Sequence, residues 1–160
     1  MKRRDQDLLA EPYAPSSSER VREQVALYEA TGGEEGGTLE GRPVVILTMI
    51  GATSGKVRKT PVMRIEHDGI YLAVASNGGA PSHPAWYHNL IAHPEVRLQD
   101  GAQVHSLRAR EVFGQEKAQA WKLAESRWPY FPDYRAKAGR EIPILLLEAA
   151  NATHDGSATT

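Results

Sequence analysis

Two Asp-Gly pairs, each flanked by strand-like sequence, constrain the fold of this chain more than any other feature. Asp68-Gly69 lies between the alternating segment 60–66 and the apolar segment 70–76, and Asp100-Gly101 occupies the same kind of position further along. Because Asp-Gly favours the tight turns of β-hairpins, both pairs predict antiparallel strands. The expected strands are 43–50, 60–66, 70–76, 96–99, 103–112 and 142–148.

Four helices are predicted around these strands. The first, at 19–30, begins after Ser18, which can cap it, and Val21, Val25 and Tyr28 fall on one of its faces. The other helices are expected at 84–92, 115–127 and 132–138. Hairpin strands with helices set apart predict an α+β protein, in which an antiparallel sheet of about six strands curls into a small barrel with helices packed outside.

The length of 160 residues predicts a single domain, which we expect to span residues 18–149. Both ends are polar and rich in small residues. We expect a mobile tail at 1–17 and a disordered tail at 150–160.

Charge and cysteine content exclude several classes of function. A net charge of −1 argues against electrostatic binding of nucleic acid, because such domains are usually basic. The absence of cysteine excludes a disulfide scaffold and a cysteine nucleophile, and fits a cytoplasmic protein. No apolar run approaches the roughly 18 residues of a membrane span. Peripheral membrane contact, and the choice between monomer and homodimer, stay open.

A glycine-rich segment, I-G-A-T-S-G-K-V-R-K-T-P at residues 50–61, joins the first two predicted strands. A Walker A loop needs G-x-x-x-x-G-K-[ST] at the start of a helix, but here Gly51 and Gly55 are one residue too close and Lys56 precedes Val57. The glycines still allow backbone N–H groups to converge on an anion, with hydroxyls and cations beside them. The segment alone fits equally well a long hairpin with exposed basic side chains.

A second glycine-rich segment, S-N-G-G-A-P-S-H-P-A-W-Y-H-N-L at residues 76–90, leads into the second predicted helix. Asn77, Gly78 and Gly79 can bring bare backbone close to a ligand, and helix N-termini attract anions. Trp86 would lie in the first helical turn, either beside that ligand or in the core. Two glycine-rich segments, basic residues and a tryptophan together favour a flat, phosphorylated cofactor.

Other sites are excluded by spacing. His83, His88 and His93 are five residues apart, a spacing that turns roughly 140° per step on a helix, so no shared metal-binding face is expected. Ser54 is off-register for a G-x-S-x-G nucleophile elbow. A G-x-G-x-x-G motif opening a βαβ unit is also absent, which argues against a nicotinamide Rossmann site.

The two glycine-rich segments, together with W-P-Y-F-P-D-Y-R-A-K-A-G-R-E-I-P at residues 128–143, resemble the deazaflavin-dependent nitroreductase family of actinobacteria over about residues 21–149. The resemblance implies a split β-barrel of the FMN-binding type that uses the deazaflavin coenzyme F420. It also implies that the first segment holds the phosphate and polyglutamate tail, and that the second segment and its helix hold the ring system and its linker.

The resemblance and the anion-binding pattern together give a set of expected site residues. The cofactor-binding residues are Ala52, Thr53, Ser54, Lys56, Arg58, Lys59, Thr60, Pro61, Met63, Ser76, Asn77, Gly78, Gly79, Ala85, Trp86, Tyr87 and Asn89. By resemblance, Trp128, Phe131 and Tyr134 line the substrate side, although spacing alone fits a hydrophobic cap on the barrel equally well. Ser76 and Tyr134, besides solvent, are the candidates for donating a proton or hydrogen bond to the reacting acceptor.

The implied activity is hydride transfer from reduced F420 to an electron-poor small molecule: a quinone, an activated alkene or a nitroaromatic. One departure from the family pattern is visible. The family loop usually carries one or two basic residues where this chain has Ala52 and Thr53, so Lys56, Arg58 and Lys59 would have to compensate. Two alternatives therefore remain: an FMN-dependent oxidoreductase on the same barrel, and a non-catalytic protein that binds a cofactor or lipid.

Overall fold

A computed structural model describes residues 11–150, which form a curled antiparallel sheet with four helices packed on it. The strands are β1 (Thr38–Leu39), β2 (Arg42–Ile50), β3 (Val57–Met63), β4 (Glu66–His67), β5 (Ile70–Val74), β6 (Glu95–Asp100), β7 (Gln103–Glu111) and β8 (Ile144–Ala149). The helices are α1 (Glu19–Thr31), α2 (Ala85–Ala92), α3 (Gly114–Arg127) and α4 (Phe131–Ala138), and one 3₁₀ turn spans Asn77–Gly79. The predicted α+β barrel class is confirmed.

The strand order is β1-β2-β6-β7-β8-β5-β4, with β3 paired to the other side of β2. The expectation of consecutive hairpins holds for β2–β3, β4–β5 and β6–β7, but it is wrong for β5, whose second neighbour is β8. Ile144, Leu145 and Leu147 of β8 are almost completely buried, and they pack into two different core clusters. A strand that is apolar on both faces is most stable inside a sheet, so β8 lies between β5 and β7.

The second predicted strand is displaced in the structure. β3 begins at Val57 and ends at Met63, because it pairs with β2 from Ile50↔Val57 to Val44↔Met63. The residues Glu66–His67 form the separate strand β4. The length of β2 decides where β3 begins, and the alternation of residues 60–66 does not reveal that length.

Both Asp-Gly turns are found. Asp68 and Gly69 have φ values of 54° and 82°, as the tight turn between β4 and β5 requires. Asp100 itself pairs with Gln103, so the second turn falls one residue later than predicted, on Gly101 and Ala102.

Helix α1 packs on the outer face of β2 and β3 through the predicted stripe. Ser18 Oγ accepts a hydrogen bond from Val21 N at 3.3 Å, and Val25 and Tyr28 are buried. The Tyr28 hydroxyl accepts the Gly101 N–H at 2.7 Å and lies 3.2 Å from Val44 O. One tyrosine thus ties α1 to β2 and to the β6–β7 turn.

Most of the two predicted tails, residues 1–10 and 151–160, lies outside the described residues. Val57 of β3 donates its N–H to Pro12 O at 2.8 Å, and its carbonyl accepts the Ala14 N–H at 2.9 Å. This part of the segment predicted as a mobile tail therefore pairs with the sheet, and the division at residues 18 and 149 stays a prediction. Within 11–150 we find no helix that is both long and apolar enough to cross a membrane.

Candidate cofactor site

A cavity of about 510 Å³ lies between α1, β3, the start of α2 and the junction of α3 and α4. It lies within the range of roughly 300–1,000 Å³ that is usual for ligand pockets. The predicted residues that line it are Arg58, Lys59, Thr60, Pro61, Met63, Ser76, Asn77, Gly78, Ala85, Trp86, Asn89, Trp128, Phe131 and Tyr134. The predicted residues outside its lining are Ala52, Thr53, Ser54, Lys56, Gly79 and Tyr87.

The cavity changes character along β3. Arg58, at the start of the strand, lines the cavity. Met63, five residues later, lines it too and packs against the core cluster that contains the aromatic cluster, which we define as Trp128, Phe131 and Tyr134. Five steps of a strand at about 3.3 Å each span roughly 17 Å. A ligand that lies along β3 therefore meets a cation at one end and aromatic rings at the other.

The first loop, which we define as residues 51–56, is closed by its own hydrogen bonds. Gly51 N donates to Lys56 O at 2.8 Å, and Gly55 N donates to Gly51 O at 3.0 Å. Lys56 N donates to Ser54 Oγ at 3.1 Å. Three of the backbone donors that the sequence suggested for an anion are therefore already occupied.

One hydrogen bond joins the first loop to α2. Ala52 N donates to Asn89 Oδ1 at 2.9 Å, although Ala52 itself is exposed. The amides of Thr53 and Ser54, with their hydroxyls, are what this loop can still offer to an anion. Asn89, predicted as a cofactor contact, thus also positions the first loop.

The two adjacent cations of β3 have different surroundings. Lys59 Nζ lies 2.6 Å from Glu29 Oε2 of α1 and 5.1 Å from the centre of the Tyr13 ring. Arg58 lines the cavity and has no salt bridge within residues 11–150. Lys59 also lines the cavity, but its ammonium group is already paired with Glu29. Arg58 is therefore the better-placed cation for a ligand in the cavity.

The second loop, which we define as residues 75–84, contains three successive residues with positive φ: Asn77 at 50°, Gly78 at 63° and Gly79 at 85°. A Cβ on Gly79 would lie 3.3 Å from Tyr134 Cα and 3.0 Å from Lys137 Cδ, so α4 packs directly on this glycine. A Cβ on Gly78 would meet nothing within 4 Å, and Gly78 lines the cavity. Gly78 is therefore the glycine that exposes backbone to a ligand, whereas Gly79 permits close packing.

Arg140, which the sequence analysis did not select, holds the second loop from the far end of the chain. Its guanidinium lies within hydrogen-bond distance of the backbone oxygens of Ala75 (3.2 Å), Ser76 (3.1 Å), Ala80 (3.1 Å) and Ser82 (3.0 Å). Its Nη1 also lies 2.8 Å from His83 Nδ1. The only signal in the sequence was an arginine between the glycine that ends α4 and the closing strand.

Helix α2 begins at the cavity wall. Pro84 precedes the helix, and Pro84, Ala85 and Trp86 all line the cavity. Tyr87 N donates to Pro84 O at 3.1 Å, so the N–H groups of Ala85 and Trp86 are the ones available near the ligand space. Trp86 is half-buried, packs against the barrel core and lines the cavity, so core packing is found and contact with a ligand stays a prediction.

The aromatic end of the cavity is built from the α3–α4 junction. Trp128 and Phe131 are almost completely buried, and the Phe131 and Tyr134 rings meet edge to face at 6.1 Å. These residues form the cap of a core cluster and line the cavity at the same time. Ser76, also at the cavity wall, is 7% exposed, and its hydroxyl has no hydrogen-bond partner within residues 11–150. It is a donor available to a ligand in the cavity.

The histidines are arranged differently from the prediction. His83 precedes α2, and its ring centre lies 5.9 Å from that of His88; the predicted separation of this pair by helical spacing is wrong because His83 is not on the helix. Burial, together with the nearby Arg140 charge, lowers the pKa of His83, which favours the neutral ring. Among residues 11–150, no group of three or more His, Asp or Glu side chains is placed to hold a metal ion.

Comparisons with known proteins agree with this geometry. A model of the family described as F420H(2)-dependent quinone reductase matches residues 20–149. An F420H(2)-dependent quinone reductase of Mycobacterium tuberculosis is 32% identical over 126 residues, which cover 76% of this chain and 85% of that protein.

Two solved structures share both sequence and fold with the chain. One, described as an F420-H2 dependent reductase (FDR-A), is 46% identical, with a TM-score of 0.63 over 67% of this chain and 95% of that one. Another, described as a domain-swapped dimer, is 43% identical, with a TM-score of 0.65 over 79% and 96% of the two chains. The resemblance seen in the three sequence motifs is thereby confirmed, and the chain belongs to the F420H(2)-dependent quinone reductase family.

Proposed function

We propose that this protein is an oxidoreductase that binds reduced F420 in the cavity and uses it to reduce a quinone. The observation that carries the proposal is the gradient along β3, from Arg58 at one end of the cavity to the aromatic cluster at the other. Deazaflavin F420 has the matching polarity, with a flat ring system at one end and an anionic tail at the other.

The residues of the cavity fit this cofactor. Trp86 and the exposed backbone of Gly78 suit a flat ring, and the first turn of α2 suits an anionic or oxygen-rich linker. Arg58 suits the phosphate, because charge-assisted hydrogen bonds to such groups are worth about 1.5–3 kcal/mol. Ala52, Thr53, Ser54 and Lys56 would meet only a part of the tail that leaves the cavity.

When bound, reduced F420 supplies a hydride from C5 of its ring system. The protein orients the acceptor against that position, and Trp128, Phe131 and Tyr134 exclude water from that side of the cavity. We assign the Ser76 hydroxyl, on a side chain that lines the cavity, as the donor of a hydrogen bond to an acceptor oxygen that gains negative charge. The Tyr134 hydroxyl, which has no hydrogen-bond partner in the described part of the chain, is the second candidate donor.

Quinones are the acceptor class that the family description names. We extend the proposal to activated alkenes and nitroaromatics, because the aromatic end of the cavity recognises flat, electron-poor rings by stacking and area burial. Since the chain has no cysteine, we propose that it works in a reducing compartment, the cytoplasm. A homodimer is the expected assembly, because one similar structure is described as a domain-swapped dimer.

The direct test mixes the purified protein separately with F420 and with FMN and follows the fluorescence of each. We expect saturable quenching of F420 and little response from FMN. Tighter binding of FMN would overturn the cofactor assignment.

A second experiment adds menadione to the complex of the protein with reduced F420. We expect the reduced cofactor to be oxidised faster than in protein-free solution. Binding of F420 without any acceleration would instead support a cofactor carrier, and a Ser76→Ala variant that keeps the full acceleration would exclude Ser76 as the donor.

A further inference from the structure

Arg140 makes an unusual set of contacts for an arginine that carries no assigned role. Its nitrogen atoms lie within hydrogen-bond distance of four backbone oxygens of the second loop and of His83 Nδ1. The guanidinium has five N–H donors in a fixed planar fork, so it can bind several oxygens at once. It makes no salt bridge within residues 11–150, and apart from a long contact of Nη1 with Glu141 O at 3.4 Å, its donors are directed to the loop.

The contact with His83 determines which nitrogen of that ring carries a proton. An arginine is always protonated and can only donate, so His83 Nδ1, at 2.8 Å from Arg140 Nη1, must accept. A neutral imidazole has one N–H, which must then be on Nε2. His83 lines the cavity, and Nε2 has no hydrogen-bond partner among the described residues.

The second loop needs such an external restraint. Asn77, Gly78 and Gly79 all have positive φ, and glycines leave the backbone many alternative conformations. Backbone hydrogen bonds inside the loop are few: Gly79 N to Ser76 O at 2.9 Å and Ala80 N to Asn77 O at 3.0 Å. A fork that holds both ends of the loop, at Ala75 and at Ser82, fixes its shape before any ligand binds.

We propose that Arg140 is a positioning residue for the cofactor site. It fixes the second loop in its binding conformation and fixes His83 in the tautomer that offers its Nε2–H to an oxygen of the bound deazaflavin. The inference rests on the proposed function for the identity of the ligand, but the Arg140–His83 contact itself can be tested without any cofactor.

The cofactor-free test is nitrogen NMR of the histidine rings. We expect one histidine, assigned to His83 because its signals are missing in His83→Asn, to show an unprotonated Nδ1 and a protonated Nε2 at neutral pH. In Arg140→Gln this preference should weaken. An unchanged His83 tautomer in Arg140→Gln would overturn the proposed role of Arg140 in fixing the ring.

The binding test uses Arg140→Lys and Arg140→Gln with F420 as the probe. Lysine keeps the charge but not the planar fork, so we expect both variants to raise the Kd for F420 about tenfold, with kcat at saturating cofactor within about twofold of the original. Arg135→Gln removes the same charge from an exposed position outside the cavity lining, and its Kd should not change. Unchanged Kd values for both Arg140 variants would overturn the inference, provided that the unmodified protein binds F420.

Two substitutions of His83 separate its two nitrogens. Asparagine can replace the Nδ1 acceptor that faces Arg140, and glutamine can replace the Nε2 donor that we assign to the ligand. We expect His83→Gln to keep F420 affinity better than His83→Asn, and His83→Asn to keep thermal stability better than His83→Gln. The reverse order of affinities would overturn the assignment of Nε2 as the ligand-facing donor. If the unmodified protein fails to bind F420, the proposed function fails, while the NMR result still decides the Arg140–His83 contact.

Discussion

The first and second loops look alike in sequence, but the structure holds them in different ways. Both contain glycines and small hydroxyl residues. The first loop closes on itself through backbone hydrogen bonds within 51–56 and is tied to the rest of the protein by the contact of Ala52 with Asn89. The second loop also has internal hydrogen bonds, but it is held from outside as well, by the fork of Arg140 and by the packing of α4 on Gly79.

The difference teaches what a glycine-rich sequence does and does not specify. Glycine grants conformational freedom; the restraint that selects one conformation comes from elsewhere in the fold. A reacting ring must be held within fractions of an ångström, whereas an anionic tail needs only charge and space. The externally held loop is therefore suited to the ring, and the self-closed, exposed loop is suited to the tail.

The largest effect is expected when α4 is pushed away from the second loop, because this removes the external support that distinguishes the second loop from the first. Gly79→Ala places a Cβ 3.3 Å from Tyr134 Cα at a φ of 85°, so strain and crowding add. We expect a loss of about 2–4 kcal/mol in the free energy of unfolding, measured by urea denaturation.

Gly78→Ala is the matched control for Gly79→Ala. Its φ of 63° is also unfavourable for alanine, but the new Cβ meets nothing within 4 Å, so the loss should be only about 1–2 kcal/mol. Because Gly78 lines the cavity, the loss in the free energy of F420 binding should be larger in this variant than the loss in the free energy of unfolding. Equal losses of stability in the two variants would show that α4 does not restrain the loop.

The same comparison shows how much could be predicted from sequence. Hairpins, helices and the two glycine-rich segments follow from local patterns, and most of their boundaries are within a few residues of the structure. The position of β8 between β5 and β7 depends on pairing with strands that are distant in sequence. The contacts of Arg140 with the second loop join residues that are 57 to 65 positions apart. No local pattern contains such a contact. The packing of α4 on Gly79 is also a long-range contact, so the different roles of Gly78 and Gly79 could not be predicted from sequence.

Neutralising the cations near the first loop tests where the anionic tail of F420 binds. Arg58 lines the cavity, whereas Lys56 is exposed outside its lining. We expect Arg58→Gln to weaken F420 binding by about 1.5–3 kcal/mol, because it removes a charge-assisted hydrogen bond. Lys56→Gln should change it by less than about 0.5 kcal/mol, as is usual for exposed charges.

Fluorescence titration of the two variants at one salt concentration would measure both affinities. A larger loss in Lys56→Gln than in Arg58→Gln would contradict the placement of the anion inside the cavity. It would instead place the anion at the first loop.

Adding a cation where the family pattern usually has one tests whether the tail reaches the first loop at all. Thr53 is exposed, and Thr53→Lys should tighten F420 binding by about 1 kcal/mol or more if the tail passes there. Thr53→Gln, which is long but neutral, controls for the added contact area. An unchanged affinity in Thr53→Lys would mean that the tail runs elsewhere, for example towards Arg20 of α1, which also lines the cavity.

The smallest expected effect concerns the support of the second loop through α2. Tyr87 of α2 donates its hydroxyl to Glu111 Oε1 of β7 at 2.8 Å, and burial, together with this hydrogen bond and the charge of Glu111, raises the pKa of Tyr87 to about 12. Folding therefore favours the neutral phenol. The resulting stability is fully present below the unfolded pKa of about 10 and is lost as pH rises towards 12.

Tyr87→Phe should therefore lower the free energy of unfolding by about 0.5–1 kcal/mol near neutral pH, a figure reduced for the partial exposure of the pair. The difference between the two proteins should shrink as pH rises from about 10 to 12, because the unmodified protein then loses the same contribution. Tyr130→Phe, at an exposed position whose hydroxyl has no hydrogen bond among residues 11–150, should show neither effect. A difference in the free energy of unfolding that stays constant from about pH 10 to 12 would mean that Tyr87 supports α2 by packing alone. The hydrogen bond to Glu111 would then contribute nothing to holding the second loop.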